Sequence, residues 1–292
     1  MPSTSTELNG YESIARCKIC ASDRLTPLTQ APSVNFYQCG QCSVIFLNPQ
    51  PTVETLKRRY NAPGLLTTGP VSAWFTHASF HKKEIYRTRL RDVLRYKTQG
   101  DLLDVGCGMG DFCELAREAG FRVFGTEFSD QYAEVAKRMA GAEQMYVGRL
   151  QEIDFGGRLF DVISLWHVLE HLPDPLPTLL RLKGLLKPGG LISIEVPNVE
   201  QNRKRPMYRV DIEDYPINRL EHLFYYSGRA LQNVCDRASL KVLAVKFVDA
   251  HQLAKHMLKH VMRKIKRPSK QLIYIGRQQK GFSAVRIFAT VW

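Results

Sequence analysis

Residues Leu102 to Asp111 read LLDVGCGMGD: a short apolar run carrying one acid, three glycines at alternate positions, then a second acid. An apolar run of this length broken by glycines marks a buried strand feeding a tight turn. Outward from it the pattern alternates. Strands are predicted at Leu102–Val105, Arg122–Thr126, Gln144–Val147, Asp161–Trp166 and Leu191–Val196, and helices at Phe112–Ala119, Gln131–Met139 and Pro177–Leu186. That rhythm predicts an α/β fold, a mostly parallel sheet with helices on both faces. Ligands of such sheets lie at the carboxyl ends of the strands.

A dinucleotide fingerprint wants glycine at the sixth position of the turn and a backbone that cradles anionic pyrophosphate. Here the sixth position is Asp111, and Asp104 closes the strand. Two carboxylates beside the turn repel pyrophosphate and attract a cation, which favours S-adenosylmethionine with its ammonium and sulfonium. Further on, VFGTEFSD sets Glu127 at the end of the second strand, where a carboxylate accepts hydrogen bonds from ribose hydroxyls.

With LLDVGCGMG, VFGTEFS, FDVISLWHVLEHLPDP and LKPGGLISIEVPN in order, the chain resembles the class I S-adenosylmethionine-dependent methyltransferases over about Leu102 to Asn198. The resemblance implies a Rossmann-like seven-stranded sheet with the cofactor at its carboxyl edge. It assigns the cofactor to Asp104, Gly106, Cys107, Gly108, Gly110, Glu127, Phe128 and His167. One departure follows the third strand, where the family often carries an acid for the adenine amine. This chain has VGRLQEI, so Arg149 or Leu150 supplies only backbone or packing contacts there.

Methyl transfer from a sulfonium is an in-line displacement, so alignment in a dry cleft is the main demand, and a hydroxyl acceptor also needs a base. WHVLEHL sets His167, Glu170 and His171 after the fourth strand, on one face if they open a helix. The stretch resembles ubiquinone-biosynthetic O-methyltransferases, where carboxylate and histidine positions are linked to a divalent metal. The first residue differs here, and a polar helix start shaping the cofactor pocket is the competing reading. RLEHLFYYSG resembles the EHFSYFS stretch of deoxysugar C-methyltransferases, which implies an acceptor-side role for Glu221 and His222. The plain alternative is that His222 is a packed residue before a helix. His222 is the first choice of base, with Glu221 and His167 behind it.

Upstream, CKIC (Cys17, Cys20) and CGQC (Cys39, Cys42) have the two-knuckle spacing of a tetrahedral zinc site. Two disulfides are the alternative; a reducing compartment and a core too small to stand unaided both favour structural zinc. Four thiolates leave no open position, so the ion would stabilise rather than catalyse. The expected domains are a zinc ribbon over 1–50, a linker or active-site lid over 51–80, and a methyltransferase domain over 81–292. A ribbon ahead of such a core is similar to an arrangement common among bacterial enzymes acting on sugars, surface polysaccharide precursors and natural products. O-methylation of a sugar, glycan precursor or related small molecule is the leading reading. A nucleic-acid methyltransferase and a non-catalytic binding module are the alternatives. Against the nucleic-acid reading, HVLEH follows the fourth strand, where an Asn-Pro-Pro-aromatic sequence would grip a flipped base.

Of the formal charge of +13, most falls in 250–292, which holds ten Lys/Arg and no acid. Within it, Leu253, Met257, Leu258, Val261, Met262 and Ile265 recur at helical spacing, predicting a basic amphipathic helix near 251–267. Packing on the domain, contact with anionic lipid and contact with nucleic acid are its three readings. The polar N-terminus and the lack of a long apolar run point to a cytoplasmic protein, at the inner membrane surface if that helix touches lipid.

Overall fold

The computed structural model describes residues 10–28, 35–62, 79–140, 145–202, 222–249 and 283–291. Glu221, most of the 51–80 connection and the basic stretch of 251–267 therefore lie outside the described residues.

The N-terminal part holds β1 (Tyr11–Glu12), β2 (Leu25–Pro27), β3 (Asn35–Cys39), β4 (Ile45–Asn48), β5 (Gln50–Pro51) and α1 (Val53–Tyr60). The Thr52 hydroxyl starts α1 by accepting from Thr55 N at 3.3 Å. The larger part follows with α2 (Ser79–Val93), β6 (Gly100–Val105), α3 (Asp111–Glu118), β7 (Phe121–Glu127), α4 (Asp130–Ala140) and β8 (Met145–Val147). Next come β9 (Phe160–Trp166), α5 (Pro175–Gly184), β10 (Leu186–Pro197), α6 (Val199–Asn202) and β11 (Phe224–Tyr225). The last are α7 (Gly228–Arg237), β12 (Lys241–Asp249) and β13 (Ser283–Thr290).

Seven strands form one sheet in the order β12-β13-β10-β9-β6-β7-β8. Five run parallel through β10-β9-β6-β7-β8, and β13 lies antiparallel to both β10 and β12. The fold is thus the expected α/β sheet. Leu102, Leu103 and Val105 of β6 are all buried, as a central parallel strand covered on both faces requires. Chain order reverses at β6, and a crevice opens at such a point beyond the carboxyl ends of the strands.

Most element ends shift by a residue or two, and β10 by more. The helix expected at Pro177 begins at Pro175, because proline suits the first helical position, where its missing N–H is no loss. β10 reaches back to Leu186, with a register shift between Leu186 and Leu191 and Gly189 at φ 66°. The histidine stretch does not open an α-helix. Leu169–His171 is a single 3-10 turn, entered through His167 at φ 59°, so helical spacing does not align its side chains.

The N-terminal sheet is not closed on itself. Its order is β11-β4-β3-β2, so a strand from beyond α6 pairs with the ribbon, Phe224 opposite Phe46 and Tyr225 opposite Ile45. Phe46 and Phe224 are both almost fully buried, and burying such side chains stabilises the junction by roughly 2–3 kcal/mol each.

Candidate functional site

At the end of β6 the chain turns through Gly106 (φ 64°), Gly108 (φ 56°) and Gly110 (φ 85°), a backbone path that L side chains rarely follow. A Cβ on Gly106 would lie 2.7 Å from Val168, and one on Gly110 would lie 3.3 Å from Ala136 of α4. One glycine lets the turn approach the next strand end, and the other lets α3 and α4 cross. A Cβ on Gly108 would meet nothing within 4 Å. That open edge is where a ligand can lie against the backbone.

Glu127 ends β7 and is almost fully buried. Its Oε1 accepts from Phe128 N at 2.8 Å and Ser129 N at 2.9 Å, and its Oε2 accepts from Gly108 N at 2.8 Å. Burial raises its pKa, partly offset by these N–H groups. Two oxygens offer about four lone-pair directions, so one on Oε2 remains for a hydroxyl. The open edge at Gly108 beside this acceptor fits a ribose-bearing cofactor.

Asp104, expected beside the ligand, is sealed under the turn. It accepts from Ser164 Oγ at 2.6 Å and contacts Cys113 Sγ at 3.8 Å, and burial pushes its pKa up to about 7. The attraction of a cation by two surface carboxylates is thus not how this turn is built; Asp104 ties β6 to β9. Cys107 is also buried, its N–H donating to Thr126 O at 2.9 Å. Phe128 meets Tyr60 edge-on at 5.8 Å. Leu150 is buried, while Arg149 sits 3.4 Å from Glu152 and 4.0 Å from Asp174.

His167 is not placed as a free base. Its Nδ1 lies 3.2 Å from Glu170 Oε1 and its Nε2 3.2 Å from Glu195 Oε1. Burial disfavours its charged form, but the two carboxylates outweigh that and raise its pKa. Behind it runs a buried ion network: Arg89 Nε donates to Glu195 Oε1 at 3.0 Å, Arg286 Nε to Glu195 Oε2 at 2.7 Å, and Lys246 to Asp92 at 2.6 Å, with Arg286 also on Asp92. Both guanidinium groups lie over the Trp166 ring, at 5.1 and 5.3 Å.

A separate cluster is formed by Glu170, His171 and His222, whose ligand atoms lie within 4.8 Å of one another. The two histidine rings meet edge-on at 4.7 Å. Burial and the neighbouring His171 hold the His222 pKa down at about 4, against a weaker opposing pull from Glu170. Glu170 is 1% exposed, and its Oε2 has no hydrogen-bond partner among the described residues. Tyr60 was not singled out from sequence, yet its hydroxyl lies 3.3 Å from His171 Nδ1. Glu195, Arg89 and Arg286 were also missed: only the sheet order brings α2, β10 and β13 together.

In the ribbon, Cys17 and Cys42 Sγ lie 3.5 Å apart and Cys20 and Cys39 Sγ 3.4 Å apart, all four within 4.8 Å and none disulfide-bonded. Both knuckles end on a left-handed residue, Ala21 (φ 57°) and Ser43 (φ 63°). Tetrahedral Zn–S bonds of about 2.3 Å require S···S edges of about 3.8 Å, so the cluster fits zinc. Among the described residues no helix is long and apolar enough to cross a membrane.

A family model described as a methyltransferase domain matches residues 77–245. The ubiquinone biosynthesis O-methyltransferase of Actinobacillus pleuropneumoniae serotype 5b is 29% identical over 191 residues, 59% of this chain and 81% of that protein. The enzyme of the same name from Coxiella burnetii (strain Dugway 5J108-111) is 28% identical over 161 residues, covering 52% and 68%. Among solved structures, an S-adenosylmethionine-dependent methyltransferase from Mesorhizobium loti superposes with a TM-score of 0.52 at 15% identity, covering 70% of this chain and 96% of that one. Phosphoethanolamine N-methyltransferase 2 of Haemonchus contortus, in complex with S-adenosylmethionine, gives 0.53 at 16%, covering 91% and 70%. The two structures share the fold. With the family model spanning more than half of the residues, the chain belongs to the methyltransferase-domain family and is an S-adenosylmethionine-dependent methyltransferase.

Proposed function

We propose that this enzyme methylates a hydroxyl oxygen of a sugar, glycan precursor or related small molecule, with His222 as the base. The observation that carries the reading is the cluster of Glu170, His171 and His222. S-adenosylmethionine supplies an electrophilic methyl group; the chain's own residues must orient the acceptor and take its proton. With its pKa near 4, His222 stays neutral at physiological pH and is always able to accept. It is intrinsically a weak base. The adjacent Glu170 carboxylate favours the imidazolium and keeps that basicity from falling further, its pull already being part of the net shift. Oxygen as the target is supported by the names of the two bacterial relatives; the sugar class is supported by the ribbon-plus-core arrangement and the Glu221–His222 motif.

Glu127 and the Gly108 backbone hold the cofactor in this reading, and the four cysteines hold structural zinc. The test is a screen of hydroxylated acceptors with methyl-labelled S-adenosylmethionine, repeated with His222→Gln. General-base loss lowers kcat by about 100-fold or more, with cofactor affinity unchanged. A variant retaining kcat within threefold, or products methylated on nitrogen, would refute the assignment.

A further inference from the structure

His222 precedes the residue through which the ribbon grips the larger sheet. The Leu223 N–H donates to Glu170 O at 2.8 Å, and the Leu223 carbonyl accepts from Leu47 N at 2.9 Å and from Gln50 Nε2 at 3.3 Å. The next two residues are β11, paired with β4. The second knuckle is held from the other side: Asn233 Nδ2 of α7 donates to Cys42 O at 3.1 Å.

Gln50 is unusual in its place. It is fully buried, and its Oε1 has no hydrogen-bond partner among the described residues. A buried amide with an orphan acceptor burdens the fold, and an apolar side chain of the same size would not. What the amide provides is the donor on Leu223. The ribbon's following helix reaches the same cluster, with Tyr60 touching both His171 and Phe128. The four cysteines set the turns from which β4 starts, since Ser43 N bonds Cys39 O at 2.9 Å and Cys39 N bonds Val44 O at 2.9 Å.

We propose that the ribbon is a working wall of the acceptor site: with zinc on its four cysteines it holds His222 in place through Leu47, Gln50 and Leu223, Gln50 acting as a positioning residue. This rests on the reading of His222 as the base. Emptying the cysteine site then disables methyl transfer while the Glu127–Gly108 turn, whose hydrogen bonds are made within the larger sheet, keeps its hold on the cofactor.

The test uses the full chain under reducing conditions, with and without a strong zinc chelator. Amide hydrogen exchange is expected to accelerate at least tenfold at Leu47 and Leu223 in the metal-free protein, with Leu103 and Phe124 unchanged. S-adenosylmethionine Kd stays within threefold, and one equivalent of zinc restores protection. Gln50→Leu is expected to keep its Tm and cofactor Kd while kcat, on the best acceptor from the screen, falls at least tenfold. Unchanged protection of Leu223 in metal-free protein overturns the proposal, as does full turnover by Gln50→Leu. Lowered Tm with cofactor binding and turnover falling together also overturns it, since Gln50 would then be merely structural. If Gln50→Leu does not fold, metal removal alone decides. The exchange measurement needs no acceptor: Leu223 responding to zinc while His222→Gln stays fully active would sink the base assignment and leave the coupling supported.

Discussion

Replacing Glu127 by glutamine changes one atom and tests the whole cofactor turn. The carboxylate accepts three backbone N–H groups, two on Oε1 and one on Oε2. A glutamine can keep its oxygen on Phe128 N and Ser129 N, but its NH2 then faces the Gly108 N–H, donor against donor. The flipped amide faces two donors and is worse. A hydrogen bond to a charged acceptor contributes about 1.5–3 kcal/mol, and the repulsion adds to its loss. Some of this is offset because burial already disfavours the charge on Glu127. The free variant can relax the turn to escape a penalty of about 2–3 kcal/mol that cofactor binding must then restore, which weakens S-adenosylmethionine binding about 30- to 150-fold. Calorimetric titration of wild type and variant reads this directly, with thermal melting as the check on folding. A folded Glu127→Gln protein whose Kd stays within threefold would refute both the turn's dependence on Glu127 and its assignment to the ribose.

Two further outcomes follow from the buried charges. Glu195→Gln leaves Arg89 and Arg286 facing no carboxylate at this position; breaking such a pair costs about 3–5 kcal/mol, so Tm should fall by about 10 °C, and a shift under 3 °C would show that the network is not a stabilising unit. His222 contributes to acid sensitivity, because its folded pKa of about 4 lies below the ordinary value of 6.5. The unfolded chain binds the extra proton between those values, so stability is lost as pH falls through that window, by up to about 3 kcal/mol. Urea melts of wild type and His222→Gln between pH 7 and 4 should diverge by that amount, the variant losing less; parallel curves would show that His222 is not perturbed.

The parallel core was legible because its strands are apolar on both faces and its turn needs glycines at fixed places. Leu102, Leu103 and Val105 announced one, and Gly106, Gly108 and Gly110 the other. Glu127 was placed at the end of its strand by spacing and position, and it does end β7. The role of Asp104 was misjudged because sequence shows a carboxylate near a turn but not whether it lies above or beneath it; the Ser164 hydroxyl that holds it sits on a strand 60 residues away. His167 was over-weighted for the same reason, since its partner Glu195 comes from another strand. The cysteine spacing announced the ribbon. Nothing local announced that Phe224 and Tyr225 would complete its sheet: two residues carry too little periodicity to be read as a strand, and only the pairing with Ile45 and Phe46 makes them one.

That shared strand also sets an order of events during synthesis. Gln50 and the carbonyl it grips are separated by 173 residues, which take about 10–35 s to translate at 5–20 residues per second. All four cysteines have been made by residue 42, so a nascent chain presents the complete four-cysteine set long before the strand that will cover Phe46 has left the ribosome. During that interval the apolar edge of β4 is without its mate and open to wrong pairings, and early capture of zinc would add to the β3–β4 pairing a second local constraint on the register until residue 224 arrives.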